Sequence, residues 1–404
     1  MNDAIKSGNI EEENMDKVKE EVLALKDEVI SLRRDIHMHP EIGFEEKRTS
    51  SLVAKYLQEL GIEVHTGIAG TGVVGLLKGG TEGKTILLRA DMDALPIQEM
   101  NGVPYKSRNS GVMHACGHDG HTAILLVAAK VLSRHRNDLK GNVKFVFQPC
   151  EEKAGGAIKM IEEGVLENPK VDYAFGLHLW NWLEKGTVNI KEGIFMAEAD
   201  RFIIRVKGSG GHGAYPHKSI DPVLIASHII VALQSIVSRE IDPLDSVVVT
   251  VGKISSGNAF NIIPEVAELV GTVRTLKKEI GKAMPARIER IAKDISQAFR
   301  GEAEVEYYFE YPPLINDSNS AKLVKRIATD IVGSENVLEP SISMGGEDMA
   351  CFLERVPGVF FFLGSMNKEK GFDKPHHSAY FDFDEDVLPI GVEMHTTIVM
   401  DMLK

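Results

Sequence analysis

What most restricts the fold of this chain is an interruption in its pattern. Helix-type and strand-type segments alternate up to about Ala197, where a strand–helix–strand–strand–helix–strand block takes over, and the original alternation resumes after Pro312 and Pro313. The block has the order of the ferredoxin-like split motif and is complete within about 110 residues, a normal size for a domain. A chain of 404 residues exceeds what one ordinary core accommodates, so two domains are expected in any case. The economical arrangement is an α/β domain formed by 15–196 and 311–404, with a smaller α+β domain, 197–310, inserted into it. Residues 1–14 read as a mobile polar tail.

Periodicity supplies the elements. Val22, Leu25, Val29, Leu32 and Ile36 recur at helical spacing and predict an amphipathic helix over Glu20–His37. A second helix is expected over Thr49–Leu60, stopped by Gly61. Strands are expected at Val73–Lys78, Thr85–Ala90, Val143–Phe147 and Tyr173–Leu179, with helices at Ala123–Leu132 and Ala157–Glu163. The alternation implies a parallel or mixed sheet flanked by helices. In the inserted block, strands at Arg201–Lys207, Ser246–Ile254, Glu265–Arg274 and Glu304–Phe309 surround helices at Pro222–Arg239 and Pro285–Phe299. Beyond it come a helix at Ala321–Ile331, a strand at Val359–Leu363 and a final helix from Asp386.

Composition narrows the partners. A net charge of -13 and the lack of any Lys/Arg-rich run argue against nucleic acid. No segment is read as approaching the roughly 20 apolar residues of a membrane span, and the start of the chain lacks the pattern of a signal peptide. Cys116, Cys150 and Cys351 do not form a disulfide framework, so a reducing cytoplasm is the expected compartment.

The chemistry lies just after the strands. Asp91-Met92-Asp93 follows one strand, and a loop then presents His114, Cys116, His118, Asp119 and His121. Glu151-Glu152 follows the next strand, and His178 sits near the end of another. Ligands gather at the carboxyl ends of strands in open α/β sheets, so these groups are expected to share a crevice. Imidazole, thiolate and carboxylate are the side chains that bind zinc or manganese, and a reactive metal keeps a position open for water. Cys116-Gly117-His118 alone is a weak signal; recurrence of ligand types at successive strand ends strengthens it. Of two adjacent carboxylates, one can bind metal while the other takes a proton from water.

Three further motifs need weighing. His376-His377-Ser378 lies in an irregular segment, where a ligand from late in the chain would close the site. His212 stands in a glycine-dense loop at the start of the inserted domain. Gly70-Thr71-Gly72-Val73-Val74-Gly75 matches a dinucleotide fingerprint literally but opens a strand instead of a helix, so it is set aside.

Taken together, Leu88–Pro96, Met113–His121 and Phe147–Glu152 resemble the family 20 metallopeptidases, closest to their amidohydrolase branch of auxin-conjugate hydrolases, hippurate hydrolases, aminoacylases and N-acetyl-diaminopimelate deacetylases. The likeness continues through Gly176–His178, Gly211-His212, Asn261–Pro264, Gly271–Arg274, Gly345–Asp348 and His377-Ser378. It implies a zinc-exopeptidase-like catalytic domain with a lid inserted into it, through which a homodimer or higher oligomer forms. It also implies two divalent ions, zinc or manganese with cobalt or nickel as options, held by Cys116, His118, Glu152, His178 and His377, with Cys116 bridging. Glu151 would be the general base, Asp91 and Asp93 supporting residues, His212 the oxyanion stabiliser, and Asn261 and Arg274 the holders of the substrate carboxylate. The implied reaction is attack by a metal-bridging hydroxide on the amide of an N-acyl amino acid. A dipeptidase or carboxypeptidase is the nearest alternative, and a non-catalytic metal-binding protein a more distant one. Cys150 and Lys153–Ala157 depart from the branch's usual residues without removing a ligand.

Overall fold

The computed structural model describes residues 16–153, 155–339 and 342–404, and within these the chain divides into two compact units. The tail expected over 1–14 lies outside the described residues. One unit runs up to Gly193 and resumes with the segments starting at Ile315 and Cys351; the other comprises Ile194–Leu314 and Ile342–Ala350.

The first unit begins with helical turns over 16–24, then α1 (Lys26–Met38) and α2 (Lys47–Glu59). The single helix expected over Glu20–His37 is thus two, broken at Leu25, whose ψ of 8° leaves the helical range. Gly61 follows α2 with φ +67°, the left-handed conformation that ends helices without a Cβ penalty. Strands β1 (Glu63–Ile68), β2 (Gly72–Lys78) and β3 (Thr81–Asp91) precede α3 (His118–Arg134), β4 (Lys140–Gln148), α4 (Gly156–Glu162), β5 (Tyr173–Glu184) and β6 (Val188–Asn189). The glycine-rich stretch at Gly70 does open a strand, β2.

The second unit contains β7 (Glu198–Lys207), α5 (Pro222–Ser235), β8 (Val247–Ser256), β9 (Val266–Thr275), α6 (Lys278–Ala298) and β10 (Glu302–Tyr311). All three neighbouring strand pairs are antiparallel in the order β8-β9-β7-β10, the ferredoxin-like arrangement. Its core packs Phe202, Ile204 and Val206 of the sheet against Ile225, Ile229 and Leu233 of α5 and Met284, Ile288 and Ala292 of α6. Helix α6 starts two turns before the expected Pro285, which lies inside it. The ring removes one backbone donor there, and burial of Met284, Ile288 and Ile291 outweighs that loss. Pro222–Glu240 is apolar and long enough by length and composition to cross a bilayer, contrary to the sequence reading. Here it is α5 followed by a wider π turn, its inner face on the sheet and Glu240 paired with Arg290 at 2.5 Å.

The first unit closes with α7 (Ser318–Val332), β11 (Val337–Leu338), β12 (Gly358–Met366) and α8 (Leu388–Met402). Its eight strands order as β1-β2-β4-β3-β5-β12-β6-β11. The central run β4-β3-β5-β12 is parallel, and β1, β2 and β6 introduce antiparallel pairs, so the sheet is mixed. A parallel centre is covered on both faces, which is why Leu87, Phe145, Phe175 and Phe361 are fully buried on consecutive strands. Helix α3 lies between this sheet and helices α1 and α8, and Ala123–Ala129 is buried on every side. That setting rigidly fixes the N-terminus of α3, where the ligand-type residues begin.

Candidate metal centre

The carboxyl ends of the parallel strands carry the site. Asp91 ends β3, the Glu151-Glu152 turn follows β4, His178 lies in β5, and His377 follows β12. Between β3 and α3, Gly117 adopts φ +95° as N-cap and turns the chain sharply between Cys116 and His118. His118, Asp119 and His121 therefore lie in the first turn of α3 and not in the loop expected for them. Gly120 allows the helix to approach β5, since a Cβ there would lie 2.5 Å from Leu179 Cδ1.

The ligand atoms of Cys116, His118 and His178 lie within 4.8 Å of one another, and so do those of Cys116, Glu152 and His377. The two triads share Cys116. His178 Nε2 is 3.5 Å from Cys116 Sγ, and Glu152 Oε1 is 3.3 Å from His377 Nε2 and 4.0 Å from His118 Nε2. Glu151 also falls within such a group with His118 and Glu152.

Two of the three imidazoles are oriented by their other nitrogens. His118 Nδ1 donates to the Asp93 carbonyl at 2.9 Å, and His178 Nδ1 donates to the Leu179 carbonyl at 2.6 Å. This pins the tautomers and points both Nε2 atoms at the cluster. The backbone N–H of His377 donates to Ala115 at 2.8 Å, tying the late loop to the cysteine loop. Cys150 and His377 both take left-handed backbone, φ 52° and 64°, which costs energy in non-glycine residues.

The carboxylates work at one remove. Asp93 accepts the backbone N–H groups of Glu151 and Glu152, both at 3.0 Å. Asp91 accepts from His121 Nδ1 at 2.7 Å and pairs with Arg89 at 2.7 Å. His121 Nε2 in turn accepts the Leu179 N–H at 2.9 Å. Both His121 nitrogens are thereby used, so it acts as a strut between Asp91 and the strand that carries His178. Asp91 Oδ2 also lies 3.7 Å from His118 Nε2, so Asp91 faces that imidazole directly as well as bracing β5 through the strut, while Asp93 holds the other nitrogen of His118.

A divalent cation suits this donor set. Burial together with Glu152 and Glu151 holds the Cys116 thiol well above its ordinary pKa, so a thiolate there needs a positive charge beside it. Burial opposes charge on His118, but Asp91 and Asp93 overcome it and raise its pKa to about 10, the response of a site with surplus negative charge. His118 Nε2 is buried without a hydrogen-bond partner. Cys116 retains some solvent access, which leaves room for water or substrate.

Several sequence candidates lie elsewhere. Asp119 binds Arg33 Nε at 2.8 Å and His37 Nδ1 at 2.7 Å. Arg33 also reaches Asp382 at 2.7 Å and Glu385 at 3.1 Å, completing a buried clamp on the start of α3. His114 is buried with neither nitrogen bonded, and burial lowers its pKa to about 4. Cys150 is buried, and its N–H donates to Glu46 at 2.9 Å. In the second unit, Gly211-His212 pairs with Ile262-Ile263, and Gly213 donates to the Asn261 carbonyl at 2.8 Å, so His212 and Asn261 are neighbours on an exposed loop pair. Arg274 sits near the end of β9, half-buried and bonded to the Thr272 hydroxyl. The Arg33 clamp was not anticipated, although Arg33 interrupts the apolar stripe between Val29 and Ile36.

The fold and its ligand cluster define a metal-dependent amide hydrolase. Residues 87–401 match the family described as Peptidase family M20/M25/M40, and the chain belongs to that family. It is 43% identical to IAA-amino acid hydrolase ILR1-like 4 of Arabidopsis thaliana over 376 residues, 92% of this chain and 85% of the relative. It is 40% identical to thermostable carboxypeptidase 2 of Saccharolobus solfataricus over 96% of this chain and 98% of the relative. The crystal structure of the YXEP protein of Bacillus subtilis, described as a dinuclear metal binding peptidase, superposes with a TM-score of 0.80 at 36% identity, covering 94% of this chain and 99% of that one.

Proposed function

We propose that this chain hydrolyses the amide bond of N-acyl amino acids, using two divalent ions held by Cys116, His118, Glu152, His178 and His377. The observation that carries the proposal is the pair of ligand triads meeting at Cys116 with Glu151 beside them. Relatives in the Arabidopsis and Bacillus lines support it, one named an IAA-amino acid hydrolase and one described as a dinuclear metal binding peptidase. Zinc suits the thiolate, and manganese the carboxylate and imidazole ligands.

Ions bound there supply Lewis acidity towards the amide carbonyl and bring the pKa of a bound water down towards about 7. Glu151 takes the proton of the attacking water and returns it to the departing amine, so one carboxylate serves both half-steps. Asp93 fixes the turn that aims Glu151. We assign His212 to stabilising the developing oxyanion and Asn261 with Arg274 to the substrate carboxylate, all three in the inserted unit. That unit would serve as lid and dimer contact, using an edge strand of its sheet. A reducing cytoplasm fits the three cysteines, all of them free.

The carboxypeptidase relative supports a second reading, release of a C-terminal residue from short peptides. Metal analysis of the purified protein, followed by hydrolysis of N-acyl amino acids and dipeptides with zinc, manganese or cobalt, tests both. Two equivalents of metal and faster cleavage of the N-acyl series are expected; faster cleavage of dipeptides would transfer the assignment to the second reading.

A further inference from the structure

Glu46 is fully buried at the N-cap of α2, yet its carboxylate does not cap that helix. Glu41 does so instead, accepting the N–H groups of Arg48 and Thr49, both at 2.9 Å. The Glu46 side chain turns towards the end of β4. Its Oε1 accepts the Cys150 N–H at 2.9 Å, and its Oε2 accepts the Thr71 hydroxyl at 2.5 Å. Asp93 accepts the next two N–H groups, those of Glu151 and Glu152, both at 3.0 Å. Three consecutive backbone donors of the turn that carries the proposed base are therefore held by two buried carboxylates, which reach it from different segments.

The first of those donors belongs to the residue under strain. Cys150 has φ 52°, a conformation that a non-glycine residue keeps only when its surroundings impose it. The segment leading to Glu46 supplies those surroundings. A Cβ at Gly43 would lie 2.7 Å from Cys150 Sγ and 2.9 Å from its Cα, so the two backbones are in close contact. Lys159 of α4, the helix that follows the turn, lies 4.0 Å above the ring of Phe44. Packing alone would favour an apolar side chain at position 46, because burial disfavours the charge of Glu46 and raises its pKa. A carboxyl there is explained by the donors it accepts.

We infer that Glu46 is a positioning residue for Glu151: by holding the Cys150 N–H it fixes the strained residue before the base and so the direction in which the base points. This rests on the amidohydrolase reading above, in which Glu151 is the base. Asp93 secures the far side of the turn, including the ligand Glu152. Loss of Glu46 therefore loosens the base more than the ligand. A catalytic group displaced by about 1 Å costs up to about 100-fold in rate. The effect falls on kcat, with KM and metal content little changed.

The test compares the metal-loaded parent, Glu46→Ala and Glu46→Gln on N-acetyl-alanine and on a dipeptide. Glu46→Ala is expected to lose about 10- to 100-fold in kcat on whichever substrate the parent cleaves, with KM within about twofold. Glu46→Gln keeps an oxygen for the Cys150 N–H and is expected to stay within about threefold of the parent. Added to Glu151→Gln, Glu46→Ala is expected to cost nothing further, since a residue that acts through the base has no effect once the base is gone. Losses that multiply in the double variant, a raised KM with unchanged kcat, or parental activity in Glu46→Ala overturn the inference. Should Glu46→Ala not fold, Glu46→Asp replaces it under the same criteria, because it keeps the charge and draws the carboxylate back by one methylene. A parent that cleaves neither substrate sinks the amidohydrolase reading instead. The hold on the turn is then judged by amide hydrogen exchange at 150–152. Exchange that quickens there beyond the rest of its unit in Glu46→Ala sustains it, and a uniform change or none overturns it.

Discussion

His118 donates its Nδ1 proton to the backbone carbonyl of Asp93 at 2.9 Å. That bond joins a proposed ligand on α3 to the segment after β3, and the carboxylate of the same aspartate grips the turn carrying Glu151 and Glu152. One residue thus sets the spacing between an imidazole ligand and a carboxylate ligand. Asp93→Ala keeps the carbonyl and removes the grip, so the turn loses two acceptors while His118 keeps its partner. Metal affinity is expected to fall by about 10- to 100-fold, the usual effect of losing an outer support of a metal site. Chelator competition with zinc would measure it, and affinity within about twofold of the parent would separate Asp93 from metal binding.

Glu151→Gln makes the opposite prediction. The amide keeps the shape of the side chain but cannot take a proton. Two metal equivalents should remain, while kcat drops by about 10²- to 10⁴-fold, the range general-base catalysis supplies. Metal content and steady-state rates on the same preparation decide it. Near-parental kcat would remove Glu151 from the base role.

Why some of this was legible in the sequence and some was not follows from the range of each interaction. The alternation of elements and the inserted block are local periodicities, and the strands at Gly72, Thr81, Lys140 and Tyr173 cover the expected segments with longer ends. The candidate ligands could be named because strand ends concentrate polar groups that a core would reject. What escaped depended on contacts distant along the chain. Arg33 reads as one charged residue on a helix, and only the fold brings Asp119, Asp382 and Glu385 to it. His121 has the composition of a ligand, yet Asp91 and the Leu179 N–H occupy both its nitrogens. Among the described residues the short strand β11 pairs with β6 alone, and two residues carry no periodicity to detect.

The Arg33 clamp leads to a stability prediction. The guanidinium is fully buried, and burial, which disfavours its charge, is outweighed by Asp382, Asp119 and Glu385, so its pKa stays well above the ordinary value. Arg33→Met leaves Asp119 and Asp382 charged in the interior without their cation. Removing one partner of a buried pair costs about 3–5 kcal/mol, far more than an exposed pair. Urea denaturation at fixed metal concentration should show that loss. Because Asp119 adjoins His118, the folded variant should also bind metal more weakly. A loss under about 1 kcal/mol would mean that water replaces the guanidinium.

The inserted unit carries a titration of its own. Glu198 and Asp200 lie two apart on one face of β7, both buried, and a Cβ at Gly281 would meet the Glu198 carboxyl at 1.9 Å. Burial and the neighbouring Asp200 raise the Glu198 pKa from 4.5 to about 8, despite opposing attraction from Lys278 and Lys282. Between those two values the folded chain holds a proton that the unfolded chain releases. Stability from this carboxyl is therefore complete below pH 4.5 and declines as pH rises towards 8. Glu198→Gln keeps the shape and fixes the neutral form, so it should melt with a weaker dependence on pH between 6 and 8, as read by thermal denaturation at matched ionic strength. Identical slopes for parent and variant would show that Glu198 is already ionised in the folded chain at neutral pH.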